Sequence, residues 1–388
     1  MAAVAENQPR PKNRMTDSLP RLASSVAAFI GNPSTALEDR FGELALALFA
    51  FQHEHNAAYR SLCGQAGIEP ARVGRWQDIP AAPAAAFKEL DLSVLPPGQR
   101  TMVFHSSGTT GQTPSRHHHN AVSLGVYHAS LLAWAEPHLR LQSSPVCRLL
   151  ALTPTPTAAP HSSLAHMLGT LAEAHPQAAA AFHGRVNAAG EWDLDVAGLL
   201  GSLDAAAAAG EPVAILGTAF QCVHLLDALA AAGVPRPLPP GSRLMETGGY
   251  KGRSRVVPKL ELHRALAQAL GLRAEDIVTE YGMSELGSQA YDAVAGQPGP
   301  RTLRFPPWAR AMVVSPETGA EVPDGGAGLL RVVDLANVAS VVAVQTADLA
   351  RREGNGFTLL GRAPAAEARG CSLLSMELAP AGAGFRAT

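Results

Sequence analysis

The chain has 388 residues, with 31 Lys and Arg against 33 Asp and Glu, 47% hydrophobic residues and only 5% aromatic ones. That length suits one large α/β unit with an appendage, or two to three units, and the apolar fraction supports a sizeable core. Near-balanced charge argues against a surface that wraps nucleic acid by neutralising phosphates, and so few aromatics leave little for a base-stacking platform.

Four cysteines, Cys63, Cys147, Cys222 and Cys371, stand far apart, which excludes a disulfide scaffold and a C-x-x-C metal or redox motif. Residues 1–20 are polar, with three prolines and no apolar run, so they read as a flexible arm and not a secretory signal. No uncharged apolar run reaches the ~18–20 residues of a membrane span. The longest uncharged stretch, Leu149 to Ala172, is broken by prolines, hydroxyl residues and histidines. A soluble cytoplasmic protein without an integral membrane segment is expected.

Along the chain, apolar residues at helical spacing predict helix from Ala36 to Cys63. A short helix follows around Phe87 to Leu90, and a strand over Thr101 to Phe104 runs into a polar glycine loop. Alternating units come next. Strands at Leu149–Leu152, Val213–Leu216, Ser242–Met245 and Ile277–Thr279 are interleaved with helices near Ser162–Ala172, Phe220–Ala232 and Val256–Leu270. That alternation indicates α/β architecture with mostly parallel sheets. Beyond about Pro298, short β-like pieces at Ala311–Val314, Leu329–Val333, Val338–Val344 and Phe357–Leu360 indicate a smaller β-rich subdomain.

Three segments carry chemistry. Ser106-Ser107-Gly108-Thr109-Thr110-Gly111-Gln112 follows a strand; its glycines allow close backbone approach and its hydroxyls and amides suit a polyphosphate. A surface loop rich in turn formers fits the same composition. It is neither a Walker A sequence nor a G-x-G-x-x-G fingerprint. Thr279-Glu280-Tyr281-Gly282-Met283-Ser284-Glu285 also follows a strand, and a carboxylate there suits Mg²⁺ already bridging phosphates, although exposed acids would look the same. Gln345-Thr346-Ala347-Asp348-Leu349, with Leu360-Gly361-Arg362 beyond it, offers an acid for ribose hydroxyls and a cation for phosphate.

In this order and separation, the three resemble the motif set of the adenylate-forming enzyme superfamily. Phe87-Lys88, Ser106 to Arg116, Ser162-Ser163-Leu164, Gly217 to Phe220, Glu246 to Gly252 and Arg369 to Leu373 narrow the resemblance to the acyl-protein synthetase (LuxE) family. The resemblance implies an adenylation core of layered, mostly parallel sheets and helices over residues 21–298, and a β-rich subdomain over 299–362. It implies a mobile segment over 363–388 carrying Cys371, and no full C-terminal lid domain. ATP and Mg²⁺ would be the cofactors. A carboxylic acid, long-chain fatty acids foremost, would be activated as acyl-AMP and passed to a cysteine of the same chain, then to an acyl-reductase partner.

Carried over residue by residue, the resemblance implies that Ser107, Gly108, Thr109, Thr110 and Gly111 cradle the phosphates. Gly248 and Gly249 would lie against adenine, Tyr281 and Gly282 would line the nucleotide pocket, and Glu285 would hold Mg²⁺. Asp348 would bind ribose, with Arg362 near phosphate or hinge, and Cys371 would be the acyl acceptor. Cys371 follows Arg369, and a neighbouring cation favours thiolate; the other three cysteines read as small buried hydrophobes. His117, His118 and His119 on an extended strand would alternate in direction and so not share one metal ion. Relatives of this superfamily supply a lysine from a C-terminal domain, and in its absence Lys251 and Arg116 are the candidate cations. Lys251, Arg253 and Arg255 read equally as a basic cluster reaching phosphate or as a solvated loop. Two other readings are an acyl- or aryl-CoA ligase discharging to a free thiol, and a non-catalytic nucleotide-binding subunit of a reductase complex.

Overall fold

The computed structural model describes residues 18–33, 37–106, 113–142, 147–233, 235–248 and 255–363. Helices α1 (Leu19–Gly31), α2 (Leu37–His55) and α3 (Ala57–Gln65) open the chain. β1 (Ala82–Pro83), α4 (Ala86–Glu89), and the antiparallel hairpin of β2 (Met102–His105) and β3 (Arg116–His119) follow. Then come α5 (Ala121–Leu139), β4 (Arg148–Ala151), α6 (Ser163–Ala174), β5 (Ala179–Phe182), the hairpin β6 (Gly184–Val186) and β7 (Trp192–Leu194), and α7 (Val196–Ala209). β8 (Val213–Thr218), α8 (Ala219–Ala231), β9 (Arg243–Thr247), α9 (Lys259–Leu270), β10 (Ile277–Tyr281) and β11 (Ala290–Tyr291) complete the alternation. β12 (Ala309–Val314), β13 (Ala327–Asp334), β14 (Ala343–Glu353) and β15 (Gly356–Arg362) close it.

Two sheets organise these elements. The first runs β11-β10-β9-β8-β4-β5, parallel throughout except for β11. Its central strands are buried on both faces: β8 and β9 expose almost nothing, as expected where helices cover each side. One face packs on α5 and α6 through Leu149, Ala214, Met245 and Val278. The other packs on α7, α8 and α9 through Leu150, Ile215, Leu244 and Ile277. The alternation of partners along each strand is the period of two of a pleated chain.

The second sheet runs β1-β14-β13-β12, with β15 on β14, and is antiparallel except for β1. Its core is shared with α1 to α4: Phe41, Leu48 and Phe87 pack in one cluster with Leu330, Val332 and Val344. The expected strand over Val338–Val344 is instead a turn up to Val342 and a strand only from Ala343. The turn is apolar because it is buried, not because it is extended: Gln52 donates to the Asn337 carbonyl at 2.7 Å and accepts from the Val342 amide at 2.7 Å. A buried glutamine on α2 thus supplies the bonds that a neighbouring strand would have supplied.

Local signals fix the helix starts that frame the site. Thr218 and Gln221 form a capping box on α8, and Asn120 and Ser123 form one on α5. Ser162 caps α6 by accepting from the Ala165 amide. None of the described helices is long and apolar enough to cross a membrane.

Candidate active site

Strands β4, β8, β9 and β10 run parallel, so their carboxyl ends emerge along one edge, where open α/β sheets bind ligands. Thr247 ends β9, and its register partner Glu280 is the penultimate residue of β10. Gly248 follows at φ +72°, a conformation that favours glycine and turns the chain out of the sheet. Gly282 follows Tyr281, and a Cβ there would lie 2.4 Å from Glu280 Oε1.

The β2–β3 hairpin carries the phosphate-loop candidate between its strands, and its stem meets the segment after β10. Ser107, Gly108, Thr109, Thr110 and Gly111 lie outside the described residues, but the stem is defined. The Ser106 amide donates to Ser115 Oγ at 3.2 Å, and the Ser115 amide to Ser106 Oγ at 2.9 Å. Ser115 Oγ lies 3.2 Å from Ser284 Oγ, and His117 Nδ1–H donates to the Ser284 carbonyl at 2.8 Å. Burial pushes the His117 imidazole down to about 4, so it is neutral and its bond sets the tautomer. Ser284 Oγ donates in turn to Glu285 Oε2 at 3.0 Å. Glu285 thus stands at the base of the loop, only 5% exposed.

This donor set fits Mg²⁺. Glu285 keeps one carboxylate oxygen without a hydrogen bond among the described residues, and Mg²⁺ prefers one or two carboxylates plus phosphate oxygens and water.

The third segment closes on the second from the other sheet. The Tyr281 hydroxyl donates to Asp348 Oδ2 at 2.8 Å, and Arg362 Nε to Asp348 Oδ1 at 3.1 Å. Asp348 is 8% exposed, whereas the Arg362 side chain is 74% exposed. An ionised carboxylate has about four lone-pair sites, so two contacts leave capacity for ribose hydroxyls. Burial, with Asp348 beside it, pushes the Tyr281 phenol well above its ordinary range, so it stays protonated and donates to Asp348.

The other candidates divide. Arg116 is exposed at the loop stem, opposite His105, with Nη2 3.4 Å from the Lys88 carbonyl. Arg255 is paired with Asp227 on α8 at 2.6 Å, so it is not a free member of a basic cluster. Lys251, Arg253, Gly249 and Cys371 lie outside the described residues. Cys63 and Cys222 are buried, as expected, but Cys147 is exposed because it precedes β4 instead of lying within it. His117 and His119 are buried and His118 half-buried, which is the alternation of a strand; among the described residues no group of three ligands could hold a metal ion.

The sequence offered Glu280, like Glu285, as an acid for Mg²⁺ or an ordinary exposed one, and the structure buries it. Thr247 Oγ1 donates to Glu280 Oε2, the residue is 4% exposed, and burial pushes its carboxyl up to about 7. The available signal was an acid at the end of a strand whose start, Ile277-Val278, is wholly apolar.

Fold and edge together define the class. The chain aligns over 93% of its length with 75% of an open-conformation 2-hydroxyisobutyryl-CoA ligase in complex with 2-HIB-AMP and CoA, at TM-score 0.58 and 14% identity. ATP-bound MatB from Rhodopseudomonas palustris is matched at TM-score 0.47 and 15% identity, over 89% of this chain and 72% of that one. An ATP-bound RpMatB-BxBclM chimera is matched at TM-score 0.47 and 17% identity over 67% of this chain, which spans only 47% of that chimera's length. The fold is the core of an adenylate-forming enzyme. The family model "Acyl-protein synthetase, LuxE" matches residues 35–379, and the chain belongs to that family. No curated protein matches at a significant level.

Proposed function

We propose that this protein is an ATP-dependent acyl-protein synthetase that activates a carboxylic acid as acyl-AMP and transfers the acyl group to its own Cys371. The observation that carries the reading is the meeting of the three motif segments. The phosphate-loop stem bonds to Ser284, Ser284 to Glu285, and Tyr281 to the Asp348–Arg362 pair. Family membership supports the reading independently.

In the first step a substrate carboxylate oxygen attacks the α-phosphorus of ATP, and the bond to pyrophosphate breaks. Charge develops on the phosphate oxygens. Amides of the glycine loop, with Arg116 and Lys251 as cations, would stabilise it, as preorganised donors do in a site closed to water. Glu285 would hold Mg²⁺, which neutralises phosphate charge when bound. Asp348 would receive the ribose, held in place by Tyr281 and Arg362. In the second step Cys371 Sγ, having given its proton to solvent, attacks the acyl carbon, and the bond to AMP breaks. A thioester on the protein and free AMP result. A fatty acid is the substrate class the family points to, and an acyl-reductase is the proposed recipient.

Incubation with ATP, Mg²⁺ and labelled acid tests both steps. Pyrophosphate release with label on the protein is expected, and the label should be lost in Cys371→Ala while pyrophosphate exchange persists. Label retained in that variant would overturn the acceptor assignment.

A further inference from the structure

Glu285 stands on the loop after β10, and the groups that hold that loop come from the second sheet. β13 ends at Asp334, and Leu335-Ala336-Asn337 turn the chain back. Asp334 builds the turn itself: its Oδ1 accepts from the Ala336 amide at 2.9 Å, and its carbonyl accepts from the Asn337 amide at 3.1 Å. An aspartate bonded to the backbone two residues on is a local signal for such a turn. α2 braces it through the bond from Gln52 to the Asn337 carbonyl.

Both polar side chains of the turn reach the Glu285 loop. Asn337 Nδ2 donates to the Glu285 carbonyl at 3.0 Å and to the Val341 carbonyl at 3.2 Å. Asp334 Oδ2 accepts from the Gly287 amide at 2.9 Å, and Oδ1 accepts from Ser288 Oγ at 2.7 Å. Ser288 Oγ lies 2.9 Å from Ser130 Oγ on α5, which accepts from Trp308 Nε1 at 2.8 Å. An indole N–H only donates, so the donors run one way, from Trp308 through Ser130 and Ser288 to the Asp334 carboxylate. Gly287 permits the close approach: a Cβ there would lie 2.8 Å from Ala336 Cβ and 2.9 Å from the Ala336 carbonyl carbon. Asp334, Ser288 and Asn337 are at most 1% exposed.

We infer that Asp334 and Asn337 are positioning residues for the adenylation step: they fix the loop on which Glu285 stands, and through it the affinity for Mg²⁺ bound with ATP. This deepens the adenylation reading and rests on it. The Glu285 side chain has one hydrogen bond among the described residues, from Ser284, so its place depends on where the backbone is held. Asp334 bonds to Gly287, Ser288 and Ala336, none of them assigned to nucleotide or acid, so it acts through Glu285. Mg²⁺ demands near-ideal octahedral geometry at about 2.0–2.1 Å, so a small displacement of its carboxylate weakens binding. Partners behind a metal ligand are commonly worth about ten- to a hundredfold in metal affinity.

Calorimetric binding of ATP over a series of Mg²⁺ concentrations, and without Mg²⁺, tests this. Work near pH ~8 keeps Asp334 ionised, since burial raises its carboxyl to about 6. Asp334→Asn keeps the shape and one acceptor oxygen, but sets a second donor against the Gly287 amide. It should raise the half-saturating Mg²⁺ concentration about tenfold and leave Mg²⁺-free ATP affinity unchanged. If Asp334→Asn does not fold, Ser288→Ala, which removes one donor to the carboxylate, carries the comparison and should raise it about two- to fivefold. In a Glu285→Gln background either substitution should add little, because both act through one carboxylate. A merely structural loss would lower the fraction of protein that binds and leave the Mg²⁺ midpoint in place. An unchanged midpoint therefore overturns the inference, as do full additivity with Glu285→Gln and equal loss of ATP affinity with and without Mg²⁺. Wild-type protein that binds ATP but ignores Mg²⁺ overturns the Glu285 assignment and this inference, and leaves adenylation standing. Wild-type protein that binds no ATP overturns the adenylation reading and the inference with it.

Discussion

Gly282→Ala is a small perturbation with a calculable cost. Its new Cβ would lie 2.4 Å from Glu280 Oε1 and 3.4 Å from Glu280 Cδ, closer than the oxygen contact can be tolerated. Backbone strain is not the issue, since Gly282 is not among the residues at positive φ. Oε1 ends a flexible side chain and can turn away, but turning breaks the bond from Thr247 Oγ1. A hydrogen bond to a carboxyl is worth about 1–2 kcal/mol net, and an off-rotamer side chain adds about 0.5–1.5. Gly282→Ala should therefore destabilise the protein by about 1.5–3.5 kcal/mol in urea unfolding at constant m value. Glu280→Ala removes the obstacle, so adding it to Gly282→Ala should cost about 1–2 kcal/mol less than the two single effects summed. Unfolding of Gly282→Ala at the wild-type urea concentration, or strict additivity, would refute the pinned carboxyl.

Glu280 also sets a pH dependence. Its carboxyl is raised from an ordinary 4.5 to about 7 by burial, with Glu246 across the sheet adding to the rise and Thr247 opposing it. Between those values the native state holds a proton that the unfolded chain has lost, so this contribution is full below pH 4.5 and disappears as pH rises through 7. Glu280→Gln should remove a slope of about 1.4 kcal/mol per pH unit in that window, read from denaturation midpoints. His117 has the opposite sign: lowered from 6.5 to about 4 by burial, it contributes stability above pH 6.5 that is lost as pH falls toward 4. His117→Gln should flatten that acid arm; an unchanged arm would contradict a neutral buried imidazole. Tyr281→Phe should cost about 1.5–3 kcal/mol and raise the KM for ATP, because Asp348 keeps only the exposed Arg362. A loss below about 0.5 kcal/mol would show the tyrosine bond to be unimportant.

Much of the architecture was legible because strand and helix periods are local. The runs at Leu149, Val213, Ser242 and Ile277 became β4, β8, β9 and β10, and the C-terminal ends of β8, β9 and β10 carry motif residues. Long-range partners were not legible. Nothing local to Ala82–Pro83 says that it will pair in parallel with Val344 and Gln345, and nothing local to Gln52 says that it will complete the turn after Asn337. α5 was missed although its Asn120–Ser123 box is local, because alanine, histidine and serine dilute its apolar pattern. At the site, motif order led to Tyr281, Glu285, Asp348 and Arg362. Glu280 sits inside the same motif, but an acid in a sequence string carries no mark of burial; only the neighbouring strands show that it is enclosed.

The central claim is adenylation, and oxygen transfer tests it most directly. With an acid labelled in its carboxylate with ¹⁸O, attack on the α-phosphorus and later cleavage of the acyl–AMP bond by thiol must leave one labelled oxygen on AMP. The expected result is singly ¹⁸O-labelled AMP with pyrophosphate in equal amount, dependent on Mg²⁺ and weakened in Glu285→Gln. Formation of ADP, or AMP free of label, would contradict the account.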